Sequence, residues 1–483
     1  MYLLMRARHT VLFALIVAGS AANTAPAAGF AERWVEIRQT ATPTELYTLL
    51  YALPKGGDLH NHLGGAGLPE WWFTLATDKK RNGGQTFYTR TRILNVGPSG
   101  MDWRGRNIDT VYWVTIRESA WKKLPEANRA EFKALEDLTP AEKKEWLDSV
   151  RLDRPGEGRD EFFEFTWVRL NHLVTDAHCI PEILVENMKA FGAEGLLYLE
   201  TQAPAFGLSD PDGRIVPGAE MAVRYEARLA QADAQATGVT VRFQASVLRF
   251  APIAEAEVRR TYAFLAAYPG RWVGINMGGR EDNDKGYPLR FLKVYREMRR
   301  EYPGIGISIH GGEVDEPNAH VRDTLLLGAT RIGHGYNLIT DPDTMLLMRN
   351  SRFMVEINLV SNQLLEYTSD IQEHPFPEYL RFGIPVSLNT DDRGMWDSNM
   401  TDEYFTAVKE FKLSWAEVVQ LGRASLEFSF TPAEVKARLL AAYDENVAAF
   451  ETRYGTADWR VPLRAVKPVA YGYTERTWNL KFD

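Results

Sequence analysis

The feature that most constrains this chain is a repeat of short β-rich runs, each ending in a polar or glycine-containing loop. The runs are Gly56–His62, Gly195–Gln202, Val239–Phe250, Trp272–Gly279, Gly306–His310, Thr330–His334, Phe353–Asn358 and Pro385–Thr390. Helical patterns with charged faces separate many of them, among them Glu255–Ala267, Leu289–Glu301, Ala319–Leu327 and Pro342–Asn350. Strands that alternate with helices pair in parallel, because each crossover returns the chain to the same end of the sheet. Eight such units predict an α/β fold, a (β/α)8 TIM barrel, whose chemistry sits at the C-terminal ends of the strands.

The spacing is uneven once. Between the first two predicted strands lie roughly a hundred residues more than a βα unit needs. This insertion, about residues 70–170, is rich in Trp and charge and includes a helical-looking segment, Pro125–Ser149, broken near Thr139-Pro140. A long helical insertion after the first strand is therefore expected. It has two readings: extra helices packed over one end of the barrel, or a lid or homodimer contact beside the rim. A last helix, Pro432–Tyr454, precedes an aromatic tail, residues 457–483, expected to wrap the barrel exterior. No later stretch reads as a linker, so residues 28–483 are taken as one domain.

At the N-terminus, Arg6 and Arg8 precede the apolar run Val11–Val17, and Ala25-Pro-Ala27 ends the stretch with small residues. That order predicts a cleaved signal peptide over residues 1–27 and a periplasmic or secreted product. The run is too short to span a bilayer stably, so no permanent membrane anchor is expected. Cys179 is the single cysteine, which excludes an intrachain disulfide and reads as a buried, inert thiol. A formal charge of −8 with interspersed basic residues speaks against nucleic acid as a partner.

Polar residues collect at one end of the predicted strands. His60 and His62 stand two apart near the end of the first, so their imidazoles share a face. His310 ends the fifth with Glu313 close behind, His334 ends the sixth, and Asp391-Asp392 follows the eighth. Each has a structural reading on its own: a core histidine, a helix entrance at Glu313, a turn at the paired aspartates. Four of nine histidines at corresponding strand ends favour a shared hydrolytic metal, and zinc suits such N/O ligands.

The blocks around these residues are Pro54-Lys-Gly-Gly-Asp-Leu-His-Asn-His62, Val273–Gly279, Ser308-Ile-His-Gly-Gly-Glu313, Arg331-Ile-Gly-His-Gly335, Glu356–Asn362 and Ser387-Leu-Asn-Thr-Asp-Asp392. In type and order they resemble the signature blocks of the adenosine deaminase family. The insertion, the N-terminal segment and the run Ser361-Asn-Gln-Leu-Leu365 with His374-Pro375 resemble its secreted, growth-factor-related branch. The resemblance implies one Zn2+ per chain held by His60, His62, His310 and Asp391. It also implies hydroxide attack at C6 of a 6-aminopurine nucleoside, loss of ammonia, and Glu313 as the acid at N1. His334 would orient the water, Asp391 would take its proton, Asp392 would meet N7 and the Gly279 N–H would meet N3. Adenosine is the expected substrate, with adenine or a modified adenosine as the rival and a catalytically silent binding protein behind both. Two departures adjoin the chemistry: Arg393 stands where Pro is common, and Leu63-Gly64-Gly65 lacks an Asp that many relatives use for the sugar.

Overall fold

The computed structural model describes residues 28–94, 111–283 and 285–482. The expected signal peptide, residues 1–27, lies outside the described residues. Eight parallel strands form one sheet: β1 (Lys55–His62), β2 (Leu196–Gln202), β3 (Thr240–Leu248), β4 (Trp272–Gly278), β5 (Gly306–Gly311), β6 (Arg331–His334), β7 (Met354–Ile357) and β8 (Val386–Leu388). Their order in the sheet is their order in the chain, and each lies within two residues of its predicted run. The helices Ala254–Ala267, Leu292–Glu301, His320–Leu327 and Pro342–Arg349 stand between them as expected.

The sheet curls until β8 meets β1, and the meeting point is narrow. Asn61 and Asp391 form one parallel bridge, in which the Asp391 N–H donates to the His60 carbonyl at 2.8 Å and the His62 N–H donates to the Asp391 carbonyl at 3.1 Å. Side chains stitch the rest. The Asp58 carboxylate accepts from the Thr390 hydroxyl at 2.6 Å, and Asn389 Oδ1 accepts from the Leu59 N–H at 3.0 Å. A helix, Trp415–Glu427, begins in a Ser414/Glu417 capping box and lies across β1 and β8.

The insertion is helical as expected but also carries a small sheet. Phe87–Arg90 is the middle strand of a three-stranded antiparallel sheet with Thr115–Arg117 and Phe132–Ala134. Strands of three or four residues are too short for an alternating pattern to register. Of the predicted helical segment, Glu126–Arg129 and Pro140–Ser149 are helical, and the second starts at the expected break, with Thr139 as its N-cap and Pro140 in its first turn. The insertion ends in Gly158–Glu161, a π-helical turn Phe162–Thr166 and Trp167–Leu170. Two ion-pair contacts pin this segment over the C-terminal rim: Arg159 donates to both Asp315 oxygens at 3.1 and 3.3 Å, and Arg280 meets Asp160 at 2.6 Å. The C-terminal tail holds two short helices, Arg460–Leu463 and Gly472–Trp478, and Thr474 donates to buried Asp402 at 2.7 Å. Cys179 is fully buried, and burial pushes its thiol well up. No helix among the described residues is long and apolar enough to cross a membrane.

Gly56 sits where the Trp415–Glu427 helix crosses β1, and a Cβ there would lie 1.8 Å from the Gly422 carbonyl oxygen. Backbone cannot swing aside as a side chain can. Gly56→Ala should therefore destabilise the fold by about 1–3 kcal/mol. Chemical denaturation measures this, and a loss below about 0.5 kcal/mol would show that the helix is free to shift.

Candidate metal centre and active site

Three imidazoles and one carboxylate converge at the C-terminal rim. His60 Nε2 lies 3.0 Å from His310 Nε2, and His62 Nε2 lies 3.1 Å from both His310 Nε2 and Asp391 Oδ1. Hydrogen bonds behind the rings fix what these atoms present. His60 Nδ1 faces the Glu356 carboxylate at 2.8 Å and must donate to it. His310 Nδ1 faces Asn276 Oδ1 at 3.0 Å, while the Asn276 amide donates onward to Gln244 at 3.1 Å. With their protons on Nδ1, both neutral rings direct bare Nε2 lone pairs at one another, which is repulsive unless a cation lies between. Asp391 Oδ1 is buried without a hydrogen bond of its own. A positive charge is favoured here, either as a cation between the rings or as a second proton on His60, which Asp391 and Glu356 raise to about 10 despite burial. Zinc–ligand bonds of about 2.0–2.2 Å place neighbouring ligand atoms roughly 3–3.5 Å apart, so the donor set fits such an ion.

The support beneath the centre is ionic and dry. Glu356 on β7 also accepts from Ser308 on β5 and pairs with Arg331 Nε at 2.7 Å. Arg331, fully buried, reaches Glu200 on β2 at 2.7 Å and stacks on the Phe430 ring at 3.8 Å. Burial alone would raise Glu356, but Arg331 and His60 hold it below the usual carboxylate range.

The other predicted residues surround a cavity of about 1070 Å3 lined by His62, Gly279, Glu313, Asp391 and Asp392, with Phe162, Phe163 and Trp167 from the insertion. Burial, and then the charge of Asp391, push Glu313 well above the ordinary range. The same two causes raise Asp392. Against burial, the neighbouring His60 and His62 imidazoles hold Asp391 well down. Burial lowers His334 to about 3, and its Nε2 stands 3.6 Å from Glu313 Oε1. One rim thus presents one carboxyl group pushed toward its ionised form, two pushed toward their protonated form and an imidazole pushed toward neutrality. The departures noted in the sequence have structural reasons. A Cβ on Gly65 would lie 1.6 Å from Asp392 Oδ1, so this turn must be glycine for Asp392 to reach the cavity. Arg393 is buried, pairs with Glu194 at 3.2 Å and stacks on Phe191, which anchors the loop of the paired aspartates.

Several supporting residues went unread in the sequence. Glu281 accepts from the Gly312 N–H at 3.0 Å and from His320 at 2.8 Å and pairs with Arg249 at 3.3 Å, tethering the loop that carries Glu313. Against burial, Arg249 and His320 hold Glu281 down to about 2. Its signal was only that it stands two residues beyond Gly279. Glu356 could have been found by asking which strand-end carboxylate orients His60.

Glu356→Gln should lower metal affinity by about 10–100-fold, because the amide no longer fixes the His60 tautomer or raises its basicity. Competition against a chromophoric chelator measures this, and unchanged affinity would remove Glu356 from the centre.

A family profile described as Adenosine deaminase matches residues 138–446. The adenosine deaminase of Shewanella loihica is 32% identical over 178 residues, 37% of this chain and 53% of that relative. The matched stretch thus spans about half of the relative's length. By fold, the chain is similar to an amidohydrolase from Burkholderia ambifaria with bound Zn, at a TM-score of 0.61 and 19% identity, over 84% of this chain and 93% of that one. It is also similar to the Arabidopsis N6-mAMP deaminase, at a TM-score of 0.57 and 21% identity, over 82% and 99%. These solved structures carry the barrel alone, whereas the profile covers well over half of the sequence and spans His310, His334 and both aspartates. The chain belongs to the adenosine deaminase family.

Proposed function

We propose that this chain is a zinc-dependent aminohydrolase converting adenosine, and 2′-deoxyadenosine, to the 6-oxo product and ammonia. The observation that carries the reading is a buried Glu313, its carboxyl pushed up by burial and Asp391, 3.6 Å from His334 and beside the convergent His60, His62, His310 and Asp391. A cation bound there would supply a water acidified enough to act as nucleophile at neutral pH. The chain's own groups do the rest. Glu313 gives its proton to N1 as C6 becomes tetrahedral, keeping negative charge off the ring. His334 donates toward the oxygen arriving at C6. Asp391, ionised, takes the first proton that this oxygen gives up and passes it to the amino group, which departs as ammonia, and the oxygen's second proton restores Glu313 as the 6-oxo group forms. Asp392, protonated, can donate to N7, and the Gly279 N–H faces the N3 side. The Zn in the Burkholderia structure supports the choice of metal.

Of the basic residues that line the cavity, Arg280 is held by Asp160 and Asp282 and Arg260 by Glu257, which commits both guanidiniums to carboxylates. Lys285 lines it as well, so AMP in the substrate panel decides whether the N9 substituent carries a phosphate. A second reading, a modified adenosine, draws support from the volume, which stands at the upper end of the roughly 300–1,000 Å3 usual for small-molecule sites. Export to the periplasm or exterior, from the basic, apolar, small-residue order of residues 6–27, is part of the proposal.

An ultraviolet assay against adenosine, 2′-deoxyadenosine, adenine, N6-methyladenosine and AMP tests this, before and after chelation. Adenosine should be turned over, chelation should abolish turnover and zinc should restore it. Glu313→Gln should keep the metal and lose about 10²–10⁴-fold in kcat, since an amide cannot give up the proton. Because Glu313 works protonated, kcat/KM should fall as pH rises through its elevated pKa. A rise across that range would make Glu313 a base and overturn its role.

A further inference from the structure

His374 and Asn362 belong to the sequence run that the reaction above leaves unused, and both are fully buried. Asn362 stands on the helix Leu359–Leu364 that follows β7, and His374 stands just before the helix Phe376–Phe382. We propose that His374, acting through Asn362, sets the tautomer of His334 so that its Nε2 always carries the proton.

The chain of hydrogen bonds starts from a donor that cannot be reversed. The backbone N–H of Phe376 donates to His374 Nδ1 at 3.1 Å, so that nitrogen must accept. A neutral buried imidazole then carries its proton on Nε2, which lies 3.0 Å from Asn362 Oδ1. With its oxygen accepting, Asn362 turns its NH2 to His334, and Nδ2 lies 3.2 Å from His334 Nδ1. Asn358 Nδ2 lies 3.2 Å from Nδ1 and 3.4 Å from Nε2 of the same ring, so it does not distinguish the two nitrogens and Asn362 alone decides between them. His334 Nδ1 therefore accepts, and its proton sits on Nε2, the atom beside Glu313. In this form His334 donates to the oxygen forming at C6 and cannot remove a proton from water. Its φ of +64° shows that the backbone bends out of its ordinary region to aim the ring there. The inference rests on the deaminase reading for its consequence, but the tautomer itself is independent of any substrate.

Two measurements on the full-length, metal-loaded protein test it. Nitrogen NMR of histidine-labelled protein, with His334 assigned from a His334→Gln variant, should show a pyridine-type Nδ1 and a pyrrole-type Nε2. Asn362→Asp presents oxygen to the ring from either side and should exchange the two signals. In that variant kcat should fall about 10²–10⁴-fold, as for other catalytic histidines held in the wrong tautomer, while KM and metal content stay within about twofold. His374→Phe, which frees the Asn362 amide to turn over, should lose at least about tenfold in kcat, whereas His374→Gln, still able to donate, should keep most of it. A protonated Nδ1 on His334 in the wild-type protein would overturn the proposal, even if the variants failed to fold. So would an Asn362→Asp variant that exchanges the signals yet keeps its kcat. If the tautomer is as stated but no aminopurine is turned over, the functional reading falls and the relay stands.

Discussion

The structure depends on one buried carboxylate. Glu356 joins β7 to His60 on β1, Ser308 on β5 and Arg331 on β6, and Arg331 carries the link on to Glu200 on β2. Five of the eight strands thus meet in one dry ionic cluster inside the barrel. Removing one partner from such a cluster leaves an uncompensated charge and costs about 3–5 kcal/mol. A hydrophobic filling would pack as well, but it could not orient an imidazole. The cluster holds the proton of His60 on Nδ1, which leaves Nε2 free for a cation. The interaction that fills the middle of the barrel is therefore the one that prepares its rim.

Closure of the barrel is tied to the same centre. The bridge between β1 and the end of β8 lies at Asn61 and Asp391, so two ligand histidines and the ligand aspartate share the seam's backbone hydrogen bonds. Asp391 adopts a φ of +51° there and His334 one of +64°. Left-handed backbone at a residue other than glycine costs of order 1–3 kcal/mol and persists only where its surroundings over-determine it. At Asp391 they do, through its N–H to His60 and its carbonyl to His62. The strain is held at the two positions where a side chain must point inward from the end of a strand.

The barrel was legible because its strands are long enough to read as buried runs and end at polar groups. All eight were placed, and His60, His62, His310, Glu313, His334, Asp391 and Asp392 come together at one rim. The insertion is helical as expected, but its small sheet was missed because Thr115–Arg117 and Phe132–Ala134 have three residues each, below the length at which alternation carries information. Its docking could not be read either, since Arg159–Asp315 and Arg280–Asp160 join residues more than a hundred positions apart. The supporting polar residues were hidden for another reason. Glu356, Asn362 and His374 lie in runs that the sequence singled out, but their roles were hidden because they act on the far side of a ring, and Glu281, which acts on backbone, stands in no such run. They are found by asking where each buried donor and acceptor goes.

Three carboxyl groups crowd this rim, and their environments divide the work. Asp391 lies against both His60 and His62, whose proximity holds its carboxyl down, so it is the one that ionises. Once it carries the charge, Glu313 and Asp392 must bear both burial and a neighbouring anion, and each keeps its proton. Like charges this close cannot all ionise in a dry site, so fixing one fixes the others. Glu281, a fourth carboxylate behind the Glu313 loop, escapes this rule because Arg249 and His320 neutralise it on the far side. The direction in which protons can move across the cavity is thus set by which carboxylates have cationic neighbours. Glu313 and Asp392, where burial and the charge of Asp391 prevail, are the groups that the proposed function sets against N1 and N7, two purine nitrogens that can only accept.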